Sequence, residues 1–440
     1  MRRAALLALA LVALAACASA TRTPAPSRHL ILVSLDALRP AFYLDPSFPA
    51  PALRALVADG SHARAAESVF PTVTYPSHAT IATGVRPARH GVAFNILFDR
   101  ASGRSRWYEE EADLKAPPLW AWARAAGFTT AAVSWPSTLG AKVDWLVAER
   151  DYHVRPAPMP DFLAATTPGL FARLGVTPDP AMFRNPPQWD AFLTAVATGL
   201  IRQMRPHLLM LHLIEADVVQ HQGGREGDAV RPAVARLDGH VAALREAVAA
   251  AGIADRTAIV VTGDHGFQDV ADYVYPNHVL AGEGLRGCPA AGAWRATAHA
   301  AGGAGAVFID PPADAATLAR AEAALRREAR GRYAVLTRAE LDALGAMPGA
   351  ALGLEAQPGW AIGTSCDRGA SERSLVGRGT HGFLPARASM ATGFIAAGAG
   401  VRRGVALERM RLVDIAPTAA RLLGLPAPAV EGRVLTEILQ

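Results

Sequence analysis

Four stretches of strand length, apolar almost throughout, constrain this chain most: His29–Leu35 (HLILVSL) and residues 128–134 (FTTAAVS), 207–214 (HLLMLHLI) and 256–261 (RTAIVV). A strand with no polar face is buried on both sides, which happens where helices cover a mostly parallel sheet from above and below. The segments between them provide those helices, at Pro51–Asp59 and at 117–126, 190–204 and 229–251. A later strand is expected at 390–397 and a closing helix at 413–423. With 440 residues, 51% of them hydrophobic, the chain can bury the core that such an α/β fold requires.

The residues just beyond these stretches are chemically informative, because in open α/β sheets ligands bind at the carboxyl edge of the strands. Asp36 comes directly after the first. Asp217 and His221 come after the third, spaced so that one helical turn carries both on one face. Thr262-Gly263-Asp264-His265-Gly266 comes after the fourth, a glycine-flanked turn from which two adjacent side chains can enter one cavity. Gly379-Thr380-His381-Gly382-Phe383 ends a Gly-rich connection. Singly, each Asp or His reads as a satisfied structural residue. Together they offer enough oxygen and nitrogen donors for two divalent ions, with no thiolate needed.

The stretch 70–95, FPTVTYPSHATIATGVRPARHGVAFN, presents Thr74. Pro71 and Pro76 discourage helix before Ser77, so a helix is expected over 77–83, closed by Gly84 in the left-handed region. Thr74 then stands just ahead of free backbone N–H groups, which favour an anionic phosphoryl group. The alternative is a turn whose hydroxyls only cap the helix.

Residues 1–16 begin with Arg2-Arg3 and continue as an apolar run too short to span a membrane, the form of an export signal within 1–20. Leu14-Ala15-Ala16-Cys17 reads as a lipoprotein box, so cleavage before Cys17 and lipid anchoring in the cell envelope or periplasm are expected; cleavage after Ala20 would instead release the protein. Residues 21–28 form a tether and 29–440 one domain, with insertions near 101–116, 147–189 (proline-rich and lid-like) and 282–380. In an oxidising compartment one disulfide between Cys288 and Cys366 is allowed. The net charge is +5, yet no basic run carries interleaved aromatics, so no nucleic-acid polymer is expected as a partner.

On VSLDALRP around Asp36, PTVTYPSHATIATG, HGVAFN ending at Asn95, EADVVQH, TGDHG and GTHGF, in order, the sequence resembles the nucleotide pyrophosphatase/phosphodiesterase family of the alkaline phosphatase superfamily; DIAPTAARLLGLP from Asp414 resembles the superfamily's closing helix. The resemblance implies an alkaline-phosphatase-like three-layer α/β/α sandwich with a mostly parallel central sheet. It implies two Zn2+, one held by Asp36, Thr74, Asp264 and His265 and one by Asp217, His221 and His381. Thr74 would be the nucleophile of a phosphothreonine mechanism, and Asn95 would donate to a phosphoryl oxygen. The substrate would be a nucleotide or similar small diester. Ser134-Trp135-Pro136-Ser137 resembles the diesterase pattern Trp-Pro-Gly-Ser rather than the Lys and Arg of Thr-dependent monoesterases, and Trp135 and Tyr75 are expected in the substrate pocket. Lys142 and Arg155 keep a phosphate or phosphonate monoester open as an alternative. The family's Pro-Asn-His is Pro76-Ser77-His78 here, no C/S-x-P-x-R setting exists for a sulfatase, and a non-catalytic, metal-stabilised lipoprotein is the remaining alternative.

Overall fold

A computed structural model describes residues 29–99, 105–150, 152, 155, 158–288, 294–426 and 429–440. The expected export signal, Cys17 and the expected 21–28 tether lie outside these residues. All four apolar stretches become strands of one nine-stranded sheet: β1 (His29–Leu35), β2 (Gly60–Glu67), β3 (Thr130–Val133), β4 (Trp145–Val147), β5 (Leu208–Leu213), β6 (Thr257–Thr262), β7 (Thr392–Gly398), β8 (Val405–Leu407) and β9 (Met410–Arg411). Their order is β8-β2-β7-β6-β1-β5-β3-β4, with β9 also paired to β2. β1 lies at the centre, parallel to β5 with Leu30 opposite Leu208 and parallel to β6 with Leu30 opposite Ala258. Only β7 runs against its neighbours, β6 and β2.

The helices that cover the sheet are α1 (Pro51–Asp59), α2 (Thr74–Thr83), α3 (Leu119–Ala125), α4 (Pro186–Gln203), α5 (Glu215–Gly223), α6 (Val230–Ala250) and α7 (Ile415–Leu422). Side chains alternate across the pleat, so Ile31, Val33, Leu209, Leu211, Ile259 and Val261 pack under α1, α4 and α6. Leu30, Leu32, Met210, Ala258 and Val260 pack on the opposite face under α2, α3 and α7. This is the three-layer sandwich expected, and each fully buried aliphatic side chain stabilises it by about 1.5–3 kcal/mol.

β2 carries no strand signal of its own. GSHARAAE has little apolar bulk, and it becomes a strand because β7 supplies a ladder on one side and β8 and β9 supply one on the other. Within the proline-rich stretch, Met159–Ala164, Leu170–Leu174 and Pro180–Arg184 are helical. Their Phe162 and Phe183 pack with Trp189 of α4, and Phe171 packs with Phe162 and with Phe192 of α4, which anchors the stretch to the core. Farther along, Ala296–Ala301, Ala304–Ile309, Leu352–Ala356 and Tyr333–Leu336 form a small antiparallel sheet backed by the helix Ala315–Ala329. Cys288 and Cys366 are disulfide-bonded. The strand Ser371–Thr380 then delivers His381 to the carboxyl edge of the main sheet.

Candidate active site

α2 begins at Thr74, three residues earlier than Pro76 suggests. The proline sits in the first helical turn, where its missing N–H would have had no intrahelical partner anyway, and its φ suits a helix. Val73 before it is extended, and Gly84 ends the helix at φ +70° as expected. Asn95 returns from the far end of the same stretch, and its Oδ1 accepts the Tyr75 backbone N–H (2.9 Å). The carbonyl end of that amide is thereby engaged, which leaves the nitrogen end to donate.

The six sequence-predicted donors converge in two adjoining sets. In the first, His265 Nε2 lies 3.4 Å from Asp36 Oδ1 and 3.3 Å from Asp264 Oδ2. In the second, His221 Nε2 lies 3.1 Å from His381 Nε2, and both lie 3.5 Å from Asp217 Oδ1. The sets adjoin, since ligand atoms of Asp217, His265 and His381 lie within 4.8 Å of one another. A tetrahedral zinc with bonds near 2.0–2.1 Å spaces its ligand atoms about 3.3 Å apart, which is the spacing found.

Hydrogen bonding turns each donor toward the cluster. The three imidazoles donate Nδ1–H to backbone carbonyls, His221 to Gly379 (3.1 Å), His381 to Thr72 (3.0 Å) and His265 to Gly266 (3.1 Å). Nε2 of each is then a bare lone pair, the ligating form. Asp264 Oδ1 accepts the N–H groups of Ala37 and His265 (both 3.0 Å). Among the described residues, Asp36 Oδ1, Asp217 Oδ1, Asp264 Oδ2 and His265 Nε2 are buried without a hydrogen-bond partner. Two facing lone pairs on His221 and His381 and three orphaned carboxylate oxygens would repel one another in an empty protein interior, so the residues fit divalent cations.

The electrostatics agree with this. Burial pushes the Asp264 carboxyl up to about 7 and raises Asp217. At Asp36 burial acts first, and Asp264 and Asp217 add to it, holding the carboxyl well above its ordinary range. Burial lowers the His265 imidazole to about 4 and, with His265 and His221 beside it, holds His381 well below its usual value. A bound cation reverses the carboxyl shifts by favouring the ionised form, and it keeps the imidazoles neutral. Glycine permits the close approach: at Gly382, φ +101°, a Cβ would lie 2.1 Å from the Ala301 oxygen, and at Gly263 it would lie 2.2 Å from Thr392 Oγ1.

Thr74 is tied to both sets. Its carbonyl accepts from His78 Nδ1 (2.8 Å), and that nitrogen lies 3.6 Å from Asp264 Oδ2, while the carbonyl of Thr72 accepts from His381. His78 has its ring edge-on to Trp135 at 4.9 Å and lies 4.3 Å from the ring of His212. His212 in turn contacts Asp36 Oδ2 through Nε2 (3.1 Å) and the Ser134 carbonyl through Nδ1 (3.2 Å). The carbonyl can only accept, so Nδ1 carries a proton; the Asp36 contact needs a further proton, on Nε2 or on the carboxyl. Either way the contact holds Asp36 Oδ2 and so orients the carboxyl. Sequence reasoning missed His78 and His212, although each left a signal: His78 stands four residues after Thr74 on one helix, and His212 is a polar residue inside a strand buried on both faces.

Two expected substrate contacts are not presented to open space. Trp135 is fully buried in the core beneath His78, and Tyr75 is 1% exposed, covered by Trp107 with its hydroxyl on Glu149. Both lie in the wall of the site. Of the cations that kept a monoester open, Lys142 is exposed, and Arg155 is paired to Glu109 (2.5 Å) over the Trp107 ring.

A three-layer α/β/α sandwich whose strand ends gather carboxylates and imidazoles beside a threonine at a helix start defines an alkaline-phosphatase-like protein. The family model for type I phosphodiesterase / nucleotide pyrophosphatase matches residues 30–383, and the chain belongs to that family. It is 27% identical over 251 residues to human ectonucleotide pyrophosphatase/phosphodiesterase family member 7, covering 55% of this chain and 48% of that one. It is 24% identical over 266 residues to venom phosphodiesterase 2 of Crotalus adamanteus, covering 58% and 29%. The chain thus spans about half or less of the length of these curated relatives. The structure of human ectonucleotide pyrophosphatase/phosphodiesterase 5 superposes with a TM-score of 0.69 at 19% identity, over 94% of this chain and all of that one. The murine counterpart, in an inactive threonine-to-alanine form and in complex with AMP, matches equally. Among the described residues no helix is long and apolar enough to cross a membrane.

Proposed function

We propose that this protein hydrolyses phosphodiester or phosphoanhydride bonds in nucleotides or similar small diesters, using Thr74 as nucleophile and two Zn2+ held by Asp36, Thr74, Asp264 and His265 and by Asp217, His221 and His381. The observation that carries the reading is the convergence of six donor side chains, four with an unpartnered inward atom and two with their Nε2 atoms facing each other, on the segment that presents Thr74. Nitrogen and oxygen donors without thiolate suit zinc, which when bound supplies positive charge to the phosphoryl oxygens and lowers the pKa of a coordinated hydroxyl.

The chain's own groups do the rest. Thr74 Oγ attacks phosphorus in line as the bond to the leaving oxygen breaks, giving phosphothreonine, and water then cleaves that ester and restores the hydroxyl. The Asn95 amide donates to a non-bridging oxygen, where it stabilises charge developing in the transition state. The first N–H groups of α2 favour the same anion. His78, bonded to the Thr74 carbonyl, holds the first helical turn in place. The murine relative's complex with AMP supports a nucleotide as substrate. Arg155 is engaged with Glu109, which favours diesters over monoester dianions. Export and lipid attachment at Cys17 belong to the same proposal and rest on the sequence of residues 1–20.

Purified protein is expected to hold two zinc ions and to cleave a bis-aryl phosphate far faster than a mono-aryl phosphate, with activity lost to chelator. Thr74→Ala should keep its metals and lose turnover. The reverse substrate preference would favour the monoester reading, and a metal-replete protein inert on every ester would favour the non-catalytic lipoprotein.

A further inference from the structure

A cleft of about 340 Å³ lies behind the metal-ligand loops, and none of the six donors lines it. Its wall carries five arginines, Arg39, Arg64, Arg225, Arg387 and Arg409, against one acid, Glu67. Three of the arginines have a carboxylate of their own: Arg64 with Glu408 (2.9 Å), Arg387 with Glu355 (2.5 Å) and Arg409 with Glu67 (3.4 Å). Arg39 holds Glu226 through both terminal nitrogens, and Arg225 lies 3.6 Å from the same carboxylate and feels the charge of Asp269 as well. Asp269, also near Arg225, has its Oδ1 engaged by the Arg225 main-chain N–H (2.6 Å).

The side chain of Arg39 is only 2% exposed and lies over the Phe42 ring at 4.6 Å. Its Nε, and that of Arg225, are buried with no hydrogen-bond partner among the described residues. Burial, and then the charge of Arg39, lower the Arg225 pKa, so the two guanidiniums are close enough to repel. Two buried Nε–H donors without a partner, carried by two guanidiniums that repel each other in an arginine-lined cleft, call for an acceptor with negative charge on more than one oxygen.

We propose that this cleft is a second anion site, distinct from the metal centre, that takes a phosphoryl oxyanion, either free or as the end group of a small ester. Guanidinium groups match such oxygens in planar pairs, and the volume accommodates phosphate with a small substituent. Arg39 stands three residues after Asp36 and Arg225 four after His221, so the occupant would lie against the backs of both ligand-bearing segments.

Calorimetric titration of the metal-loaded protein with inorganic phosphate tests this. Two classes of site are expected, one displaced by diester substrate and one not. In Arg225→Gln, whose parent side chain is 36% exposed and so tolerates substitution, the second class should weaken roughly tenfold or more while phosphate's competitive inhibition constant stays unchanged. Glycerol phosphate in a parallel titration separates the sources: an ester site binds it at least as tightly, and a free-ion site binds phosphate alone. A single phosphate site displaced by substrate, or Arg225→Gln binding as wild type does, would overturn the proposal. Should the catalytic reading itself fail, one Arg225-dependent site would still be measured. Arg39→Gln gives a second reading where it folds, and the rise in melting temperature with phosphate gives a third.

Discussion

His212 is the residue whose replacement probes the metal centre most directly without touching a ligand. It is buried, and its two ring nitrogens bridge the Ser134 carbonyl (3.2 Å) and Asp36 Oδ2 (3.1 Å), so Asp36 Oδ1 is turned toward the first ligand set. In His212→Phe the volume is kept and the donor is lost. Asp36 then keeps a buried oxygen with no partner, which costs about 1–3 kcal/mol. Partners of ligating groups are typically worth about 10–100-fold in metal affinity, or about 1.4–2.7 kcal/mol at 1.36 kcal/mol per decade, and the two routes agree. The assay is competition for zinc with a chromogenic chelator, set beside thermal unfolding of metal-loaded and metal-free protein. Zinc affinity should fall by roughly one to two decades and the metal-induced gain in stability should shrink, while His212→Gln, which restores an N–H donor, recovers part of both. If His212→Phe binds zinc within about threefold of wild type, Asp36 is held by something else and the account of its orientation is wrong.

Asn95 has two jobs that substitution separates. Asn95→Asp keeps the oxygen that accepts the Tyr75 N–H and should melt near wild type, yet lose about 10²–10³-fold in kcat by placing charge where a donor is needed; retained activity would refute the donor role. The metal-free protein should lose stability as pH rises above 6.5. Below that value the depressed imidazoles His265, His381 and His78 oppose the raised carboxyls, because the unfolded chain protonates its histidines first. Above it the imidazoles are neutral in both states. Asp36, Asp217 and Asp264 remain raised, the last to about 7, so the folded state holds more protons and its stability falls through that folded pKa. Loaded metal ionises these three carboxyls and removes their share of the decline, leaving that of Asp190, which burial pushes up to about 8 with or without metal; melting curves from pH 6.5 to 8 with and without chelator should therefore diverge, and parallel curves would refute it.

Local patterns carry the local structure. Continuous apolar stretches announce β1, β3, β5 and β6, the spacing of Asp217 and His221 places both on one turn of α5, and Gly84 marks the end of α2. The first turn of α2 is misplaced by sequence reasoning because proline's effect on helix depends on its position within the turn. β2 is illegible because GSHARAAE owes its extension to neighbours that arrive more than 300 residues later. Tyr75 and Trp135 look like pocket residues by position, but Trp107, Glu149 and His78 cover them from other parts of the chain.

The same division holds at the site. Side-chain chemistry and periodicity, which are properties of neighbouring residues, determined the α/β layering and the identity of the donors. Which oxygen of each carboxylate faces inward, which nitrogen of each imidazole keeps its lone pair, and that Arg39 reaches Glu226 beside Arg225 were decided by groups distant in sequence. Those choices depend on hydrogen bonds and charges acting over a few ångströms, and only the folded chain brings their partners to that distance.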